Sequence, residues 1–239
     1  MAPHATATNG DSTGVSHAAT STPKQDLFTV HSPDVVYTDR EIQTKYTYRT
    51  TDVSATGDGK YVATPKETVY DFKVDRKVGK VGMMLVGWGG NNGTTVTAGI
   101  IANRRGLTWD TREGPRAANY YGSVVMGSTM KLGTEAKTGK EINIPFHDVL
   151  PMVHPNDLVI GGWDISGMNL AQAMDRAQVL EPTLKAMVQK EMVAMKPLPS
   201  IYYPDFIAAN QEERADNILE GSKASMAHVE KLRKDIRYA

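Results

Sequence analysis

Apolar positions along this chain follow two periods, and the change from one to the other predicts how it is organised. From Asp34 onward the pattern is two-fold: Tyr46 and Tyr48 alternate with Thr47 and Arg49, and Val69, Asp71, Phe72 and Val74 lie in a second β-rich run. GDGK at 57–60 supplies a turn between them, so the two runs predict a hairpin. KVGMMLV (80–86) is instead continuously apolar, as a strand buried on both faces of a parallel sheet must be. Four glycines and two asparagines follow in GWGGNNG (87–93). Thr94 and Thr95 are candidate caps for a helix whose body is VTAGIIANRR, with Gly106 as its stop.

A second strand-to-helix unit is written in NDLVIGGWDISGMNLAQAMDRAQVL (156–180). Leu158, Val159 and Ile160 predict the strand, Gly161 and Gly162 its end, and Leu170, Ala173, Met174 and Ala177 one face of the helix. AMVQKEMVAM (186–195) has helical spacing, and its methionines suit a core filler. KASMAHVEKLRKDIRY (223–238) predicts a last helix packed through Val229, Leu232 and Ile236, with Lys231, Arg233, Lys234 and Arg237 on a solvated face. Repeated strand-to-helix units predict an α/β fold with helices on both sides of a sheet. The opening stretch MAPHATATNGDSTGVSHAATSTPK has almost no large apolar side chain to offset the entropy of ordering it, which predicts a disordered tail over 1–27. A transit peptide is disfavoured there, because no arginine precedes Arg40. A β-rich segment over 28–78 and an α/β domain over 79–239 complete the predicted organisation.

Composition narrows the partners. With 239 residues and 40% hydrophobic content the chain can bury a real core. Its 27 basic and 27 acidic residues cancel, which favours neither nucleic acid nor an anionic membrane and points to a small ligand. The absence of cysteine excludes disulfides and suits a cytoplasmic setting. No apolar run approaches the ~20 residues of a membrane span.

Candidate chemistry concentrates after the first parallel strand. Gly87 and Gly89 have the G-x-G spacing that lets a backbone turn tightly against a pyrophosphate, with helix N–H groups meeting the charge. The third glycine of the dinucleotide fingerprint would fall at Asn92 and comes instead at Gly93, so a turn that merely packs helix on strand is the competing reading. Asp110 has a spacing expected of a ribose-binding acid, but TWDTREGPR reads as a loop. Asp164 is better placed, following an apolar strand at the carboxyl edge where α/β sheets bind ligands. The six histidines show no metal-ligand spacing, so no metal site is expected, and His147 beside Asp148 reads as a polar loop in which neighbouring side chains point apart. In LPSIYYPDFIAANQEERADN, Pro197, Pro199 and Pro204 favour an extended segment able to line a pocket.

GWGGNNGTT, NYYGS (119–123), GGWDISGMNL and SIYYPDFIAANQEERADN, in this order, resemble the eukaryotic myo-inositol-phosphate synthase family from about Phe28 onward. The resemblance implies a Rossmann-like NAD-binding domain, incomplete here, and conversion of D-glucose 6-phosphate to 1D-myo-inositol 3-phosphate. In that family NAD serves oxidation at C5, an enolate closes the ring in an intramolecular aldol step, and reduction of the ketone regenerates NAD, so the net change is an isomerisation. It further implies a role in inositol and phospholipid biosynthesis and a homotetramer. By motif, Gly90, Asn91, Asn92 and Gly93 correspond to contacts with the NAD phosphates and Asp164 to a contact with the adenosine ribose; Ser200, Ile201, Gln211 and Arg214 correspond to further NAD contacts. Family members are about twice this length, and the resemblance places their catalytic lysines and acidic partners beyond Ala239, so no catalytic residue is expected within the chain. A non-catalytic NAD-binding or regulatory fragment is the alternative, and an ordinary NAD-dependent dehydrogenase a weaker one, disfavoured by NNG in the turn.

Overall fold

A computed structural model describes residues 27–206, 211–221 and 225–238. The predicted tail lies outside these residues except for Leu27.

The two-fold pattern forms the strands it predicts. β1 (Val35–Tyr37), β2 (Glu41–Ala55) and β3 (Tyr61–Asp75) make an antiparallel sheet in that order. The β2–β3 register pairs Tyr46 with Tyr70 and Thr44 with Phe72 on one face, and Lys45 with Asp71 and Arg49 with Glu67 on the other. Over this stretch one face of the ribbon is therefore aromatic and the other mostly charged, as alternation along a strand requires. Gly59, in the connecting turn, has φ +80°, a backbone angle open to glycine at no steric cost.

β4 (Gly82–Val86) leads through the glycine turn into α1 (Asn91–Arg104). Two short antiparallel hairpins follow: β5 (Thr108–Thr111) with β6 (Gly114–Ala117), then, after α2 (Val124–Gly127), β7 (Thr129–Thr134) with β8 (Glu141–Pro145). The chain returns to the parallel sheet in β9 (Val159–Asp164). α3 (Leu170–Ala177) and α4 (Pro182–Val193) come next, then β10 (Leu198–Pro199) and α5 (Met226–Tyr238). Asn169 starts α3 with a reciprocal cap: its side chain accepts from the Gln172 N–H at 3.0 Å, and the Gln172 side chain accepts from the Asn169 N–H at 3.1 Å.

The parallel sheet has the order β10-β9-β4. On one face α1, α3 and α4 share a core of Trp88, Ala98, Ile101, Leu170, Met174, Leu184, Val188 and Met192, with Leu85 and Ile160 packed beneath it. Trp163, three residues beyond Ile160 on β9, points to the opposite face, where its indole N–H donates to Asp235 of α5 at 2.9 Å. Helices thus meet both faces of the sheet.

Four expectations are corrected. α1 begins at Asn91, with Gly90 as its cap, so Thr94 lies inside the helix and turns its hydroxyl back to the carbonyls of Gly90 and Asn91. Gly161 and Gly162 do not end β9; they run through it because β4 lies too close for side chains there. A Cβ on Gly162 would stand 2.2 Å from the Leu85 carbonyl oxygen, and one on Gly161 would stand 3.1 Å from the Met84 sulfur. TWDTREGPR is a hairpin, not a loop. α5 buries His228, while Val229 and Ile236 are exposed. Its anchoring is polar: the imidazole of His228 meets the Glu220 carbonyl at 2.9 Å, and Asp235 meets Trp163.

Candidate functional site

The carboxyl ends of the three parallel strands converge on one edge. At the end of β4 the chain reverses through Gly87, whose φ of +81° is a left-handed conformation that costs L side chains roughly 1–2 kcal/mol. The N–H groups of Gly87 and Trp88 both donate to the Trp163 carbonyl, at 2.8 and 3.0 Å, which pins the turn to β9. Gly90 closes it by donating to the Gly87 carbonyl at 2.9 Å. The first helical bond of α1 runs from Thr94 N–H to the Gly90 carbonyl, so the N–H groups of Asn91, Asn92 and Gly93 precede the ladder and form the positive end of the helix. Gly90 carries no side chain to cap them. That is the arrangement a phosphate requires.

The displaced third glycine has a structural reason. A Cβ on Gly93 would stand 2.2 Å from the Trp88 carbonyl oxygen, so a glycine at 93 is what lets α1 start directly against the turn. Close packing of helix and turn is the task of the third glycine in the fingerprint, and here it is done one position later.

Asp164 ends β9 at 1% exposure, with its carboxylate against the turn: a Cβ on Gly89 would lie 3.2 Å from it. Its Oδ1 accepts from the Ser166 N–H at 2.9 Å and from Arg214 Nη1 at 3.4 Å. Its Oδ2 is buried with no partner among the described residues. An unsatisfied buried carboxylate oxygen is costly, and a hydroxyl donor arriving at the turn would relieve it.

The remaining residues come together through a side chain that sequence reasoning did not single out. β10 pairs with Trp163 and Asp164, which sets Ser200 just past the end of the neighbouring strand. Asn217 then fastens the later stretch to that edge. Its side-chain amide donates to the Asp164 carbonyl at 3.0 Å, its N–H to the Ile165 carbonyl at 2.8 Å, and its carbonyl accepts from Ser200 N–H at 3.0 Å. Arg214, on the turn Glu212–Arg214, donates to Gln211 Oε1 as well as to Asp164. Gln211, Arg214 and Asp164 are therefore in one network, and Ser200 adjoins it through Asn217, with Ile201 next along the chain. Asn217 is the last residue of the motif quoted above, but nothing in its neighbours announces a bond to β9.

Arg176 was missed as well. From the end of α3 its Nη2 donates to the Gly89 carbonyl at 2.7 Å. Burial lowers its pKa from the usual arginine value, as does the charge of Arg214, while the Asp164 carboxylate works the other way. A contact spanning so much sequence has no local signature.

Elsewhere, Asp110 lies in the β5–β6 hairpin, apart from the parallel sheet. His147 and Asp148 do not point apart: His147 Nε2 is 3.3 Å from Asp148 Oδ1, because a tight helical turn after β8 brings both side chains to one side. Among the described residues no group of three or more histidine, aspartate or glutamate side chains is placed to hold a metal, and no helix is long and apolar enough to cross a membrane.

Comparison with known proteins agrees with this geometry. An NAD-binding family model described as myo-inositol-1-phosphate synthase matches residues 81–238. Inositol-3-phosphate synthase 1 of Bos taurus is 52% identical over 210 residues, covering 88% of this chain and 37% of the relative. Inositol-3-phosphate synthase of Dictyostelium discoideum is 51% identical over 210 residues, covering 88% of this chain and 40% of the relative. The crystal structure of inositol-3-phosphate synthase from Caenorhabditis elegans superposes with a TM-score of 0.79 at 46% identity, over 88% of this chain and 41% of that one. The chain thus spans about two fifths of the length of these relatives.

Proposed function

The chain belongs to the myo-inositol-1-phosphate synthase family, and we propose that its glycine turn and the ends of β4, β9 and β10 hold the NAD used to convert D-glucose 6-phosphate into 1D-myo-inositol 3-phosphate. The observation that carries the reading is the orphan Oδ2 of Asp164, buried beside Gly89 at the end of the second parallel strand. A ribose diol donates hydrogen bonds, and a buried carboxylate oxygen without a donor is its complement. The pyrophosphate lies over Gly90, Asn91, Asn92 and Gly93, where the first N–H groups of α1 meet its charge. Gln211 and Arg214 close over the adenosine side, and Ser200 and Ile201 line the strand ends beside it.

Bound NAD supplies a reversible oxidation of the sugar, which makes the overall change an isomerisation. The residues described here bind and orient that cofactor, and none of them is assigned to proton transfer or ring closure. The isomerase class, a role in inositol and phospholipid biosynthesis, a cytoplasmic setting and homotetrameric assembly belong to the same reading and rest on the family likeness.

The test is calorimetric titration of NAD into the chain and into Gly90→Val. A Cβ at position 90 already lies 3.0 Å from the Gly87 carbonyl oxygen, and valine adds two methyl groups at the start of α1, where the phosphates are proposed to lie. The variant is expected to lose NAD while circular dichroism shows the fold retained. Unchanged affinity in the folded variant would overturn the assignment.

A further inference from the structure

The backbone bonds at the two ends of the β2–β3 ribbon fix which way each residue of its outer strand faces. Thr56 N–H donates to the Lys60 carbonyl at 2.7 Å, and Arg76 N–H to the Arg40 carbonyl at 2.8 Å, so even-numbered residues carry the bonds between β2 and β3. Lys45 N–H turns the other way and donates to the Asp34 carbonyl at 2.9 Å. Bonded and unbonded pairs alternate along an antiparallel ladder. The odd-numbered residues of β3 therefore present their backbone groups at its outer edge, Glu67, Val69, Asp71, Lys73 and Asp75 among them. Among the described residues no strand pairs with that edge. Pro65 lacks the N–H it would show there, which blunts the edge toward the tip of the hairpin and leaves 67–75 open.

We propose that this edge pairs with the same edge of a second copy of the chain, antiparallel about a two-fold axis at Tyr70. In that register Val69 faces Asp71 and Glu67 faces Lys73 of the other copy, and each such pair exchanges both of its N–H···O bonds. The charges are self-complementary, since Glu67 meets Lys73 on both sides of the axis. Glu67 already bonds to Arg49 through Oε1 at 2.6 Å, which leaves its other carboxylate oxygen for Lys73. Neighbouring registers set acid against acid: an axis at Val69 opposes Glu67 to Asp71, and an axis at Asp71 opposes Asp71 to itself. Like charges directly opposite are destabilising. An axis at Phe72 pairs Asp71 with Lys73 but shares only 69–75, whereas the axis at Tyr70 shares 65–75 and keeps Pro65 at the margin. Directly opposed residues lie on one face, so Tyr70 meets Tyr70 and Thr68 meets Phe72 across the axis. Tyr46, Tyr48, Tyr70 and Phe72, now 47–54% exposed, become one continuous aromatic face. A two-stranded ribbon is marginal in water, and β1 widens this one only along Ile42, Gln43 and Thr44. Pairing makes it four strands wide at its centre, and a two-fold contact closes on itself.

Analytical ultracentrifugation of the full chain over a dilution series measures the association, with circular dichroism to check the fold of each variant. A dimer is expected. Val69→Pro removes an N–H from the outer edge and leaves the bonds to β2 in place, as Pro65 does in the same strand. It is expected to weaken the dimer by about tenfold or more. Charge reversal decides the matter should proline disturb the ribbon. Glu67→Lys alone or Lys73→Glu alone places like charges opposite and is expected to weaken the dimer by on the order of tenfold. An equimolar mixture of these two variant chains sets opposite charges together at every 67–73 pair and is expected to recover it. A monomeric unaltered chain would overturn the proposal, as would a dimer indifferent to Val69→Pro and to both reversals. Failure of the mixture to recover the dimer would overturn it too, and so would assemblies that keep growing with concentration, the mark of β3 pairing head-to-tail with β2 of the next copy.

Discussion

The indole N–H of Trp163 donates to the carboxylate of Asp235 at 2.9 Å, joining the end of β9 to α5 across the sheet. Trp163 is 7% exposed, and the Asp235 side chain, at 8%, also takes an ion pair from Lys231. Asp235→Ala would leave a buried donor unpaired, and an unpaired buried polar group costs roughly 1–3 kcal/mol. Urea unfolding should register that loss, and amide exchange over 226–238 should quicken most. Lys231→Ala, which removes only the half-exposed end of the ion pair, is expected to cost at most about 1 kcal/mol. Equal effects from the two substitutions would show that Trp163 is not the anchor.

Two glycines of α1 should respond oppositely to alanine. Gly93 has no room, since its Cβ would meet the Trp88 backbone at 2.2 Å, whereas a Cβ on Gly99 meets nothing within 4 Å. Gly93→Ala must displace the turn and is expected to lose about 1–3 kcal/mol together with NAD affinity. Gly99→Ala should gain roughly 0.5–1 kcal/mol through helix propensity and leave NAD binding alone. Thermal melts with and without NAD separate the two. A stabilised Gly93→Ala would mean that α1 can move away from the turn.

Tyr120 carries a pH signature. Burial pushes its phenol up to about 12, partly countered by the nearby charge of Arg104. Its hydroxyl donates to the Asn156 side chain at 2.6 Å. The folded pKa lies above the unfolded value near 10, so the folded chain holds this proton longer. The associated stability is complete below pH 10 and falls away as pH rises toward 12. Denaturant unfolding between pH 9 and about 11.5 should show a steeper decline for the unaltered chain than for Tyr120→Phe. Parallel curves would assign the decline to other groups.

Residues 1–239 by themselves are expected to hold NAD without forming inositol phosphate. Ring closure needs a fixed cation beside an enolate oxygen, and losing one preorganised donor of this kind costs about 10²–10³ in rate. Arg176 and Arg214 bond to Gly89 and to Asp164 and Gln211 at the strand ends, where the cofactor is proposed to lie. Phosphorus NMR of the chain incubated with NAD and glucose 6-phosphate checks this. Catalytic appearance of inositol phosphate would place the ring-closing groups within these residues.

Local pattern was enough for the elements whose signal is a period or a turn. Alternation at Tyr46 and Tyr48, the β-rich run at Val69 to Val74 and the GDGK turn between them predict the β2–β3 hairpin, and the apolar run into GWGGNNG predicts a strand, turn and helix. Asp164 was legible for the same reason: a carboxylate directly after an apolar strand must sit at a sheet edge. Gly161 and Gly162 misled, because glycine both ends strands and lets strands approach, and only the position of β4 decides which. α5 misled because its apolar spacing suggested an apolar anchor, while the contacts that hold it are made by Asp235 and His228 to partners outside the helix.

The sequence by itself determined the long hairpin, the strand, glycine turn and helix after residue 80 and the second strand-to-helix unit, since these follow from side-chain size, period and backbone freedom within a few residues. Tertiary structure alone decided the charge environment of that turn. Arg176 comes to Gly89 from the end of α3, and Asn217 and Arg214 come to Asp164 from beyond β10. Hydrogen bonds and charges act through space over a few ångströms, and the separations that matter to them exist only once β4, β9 and β10 lie side by side.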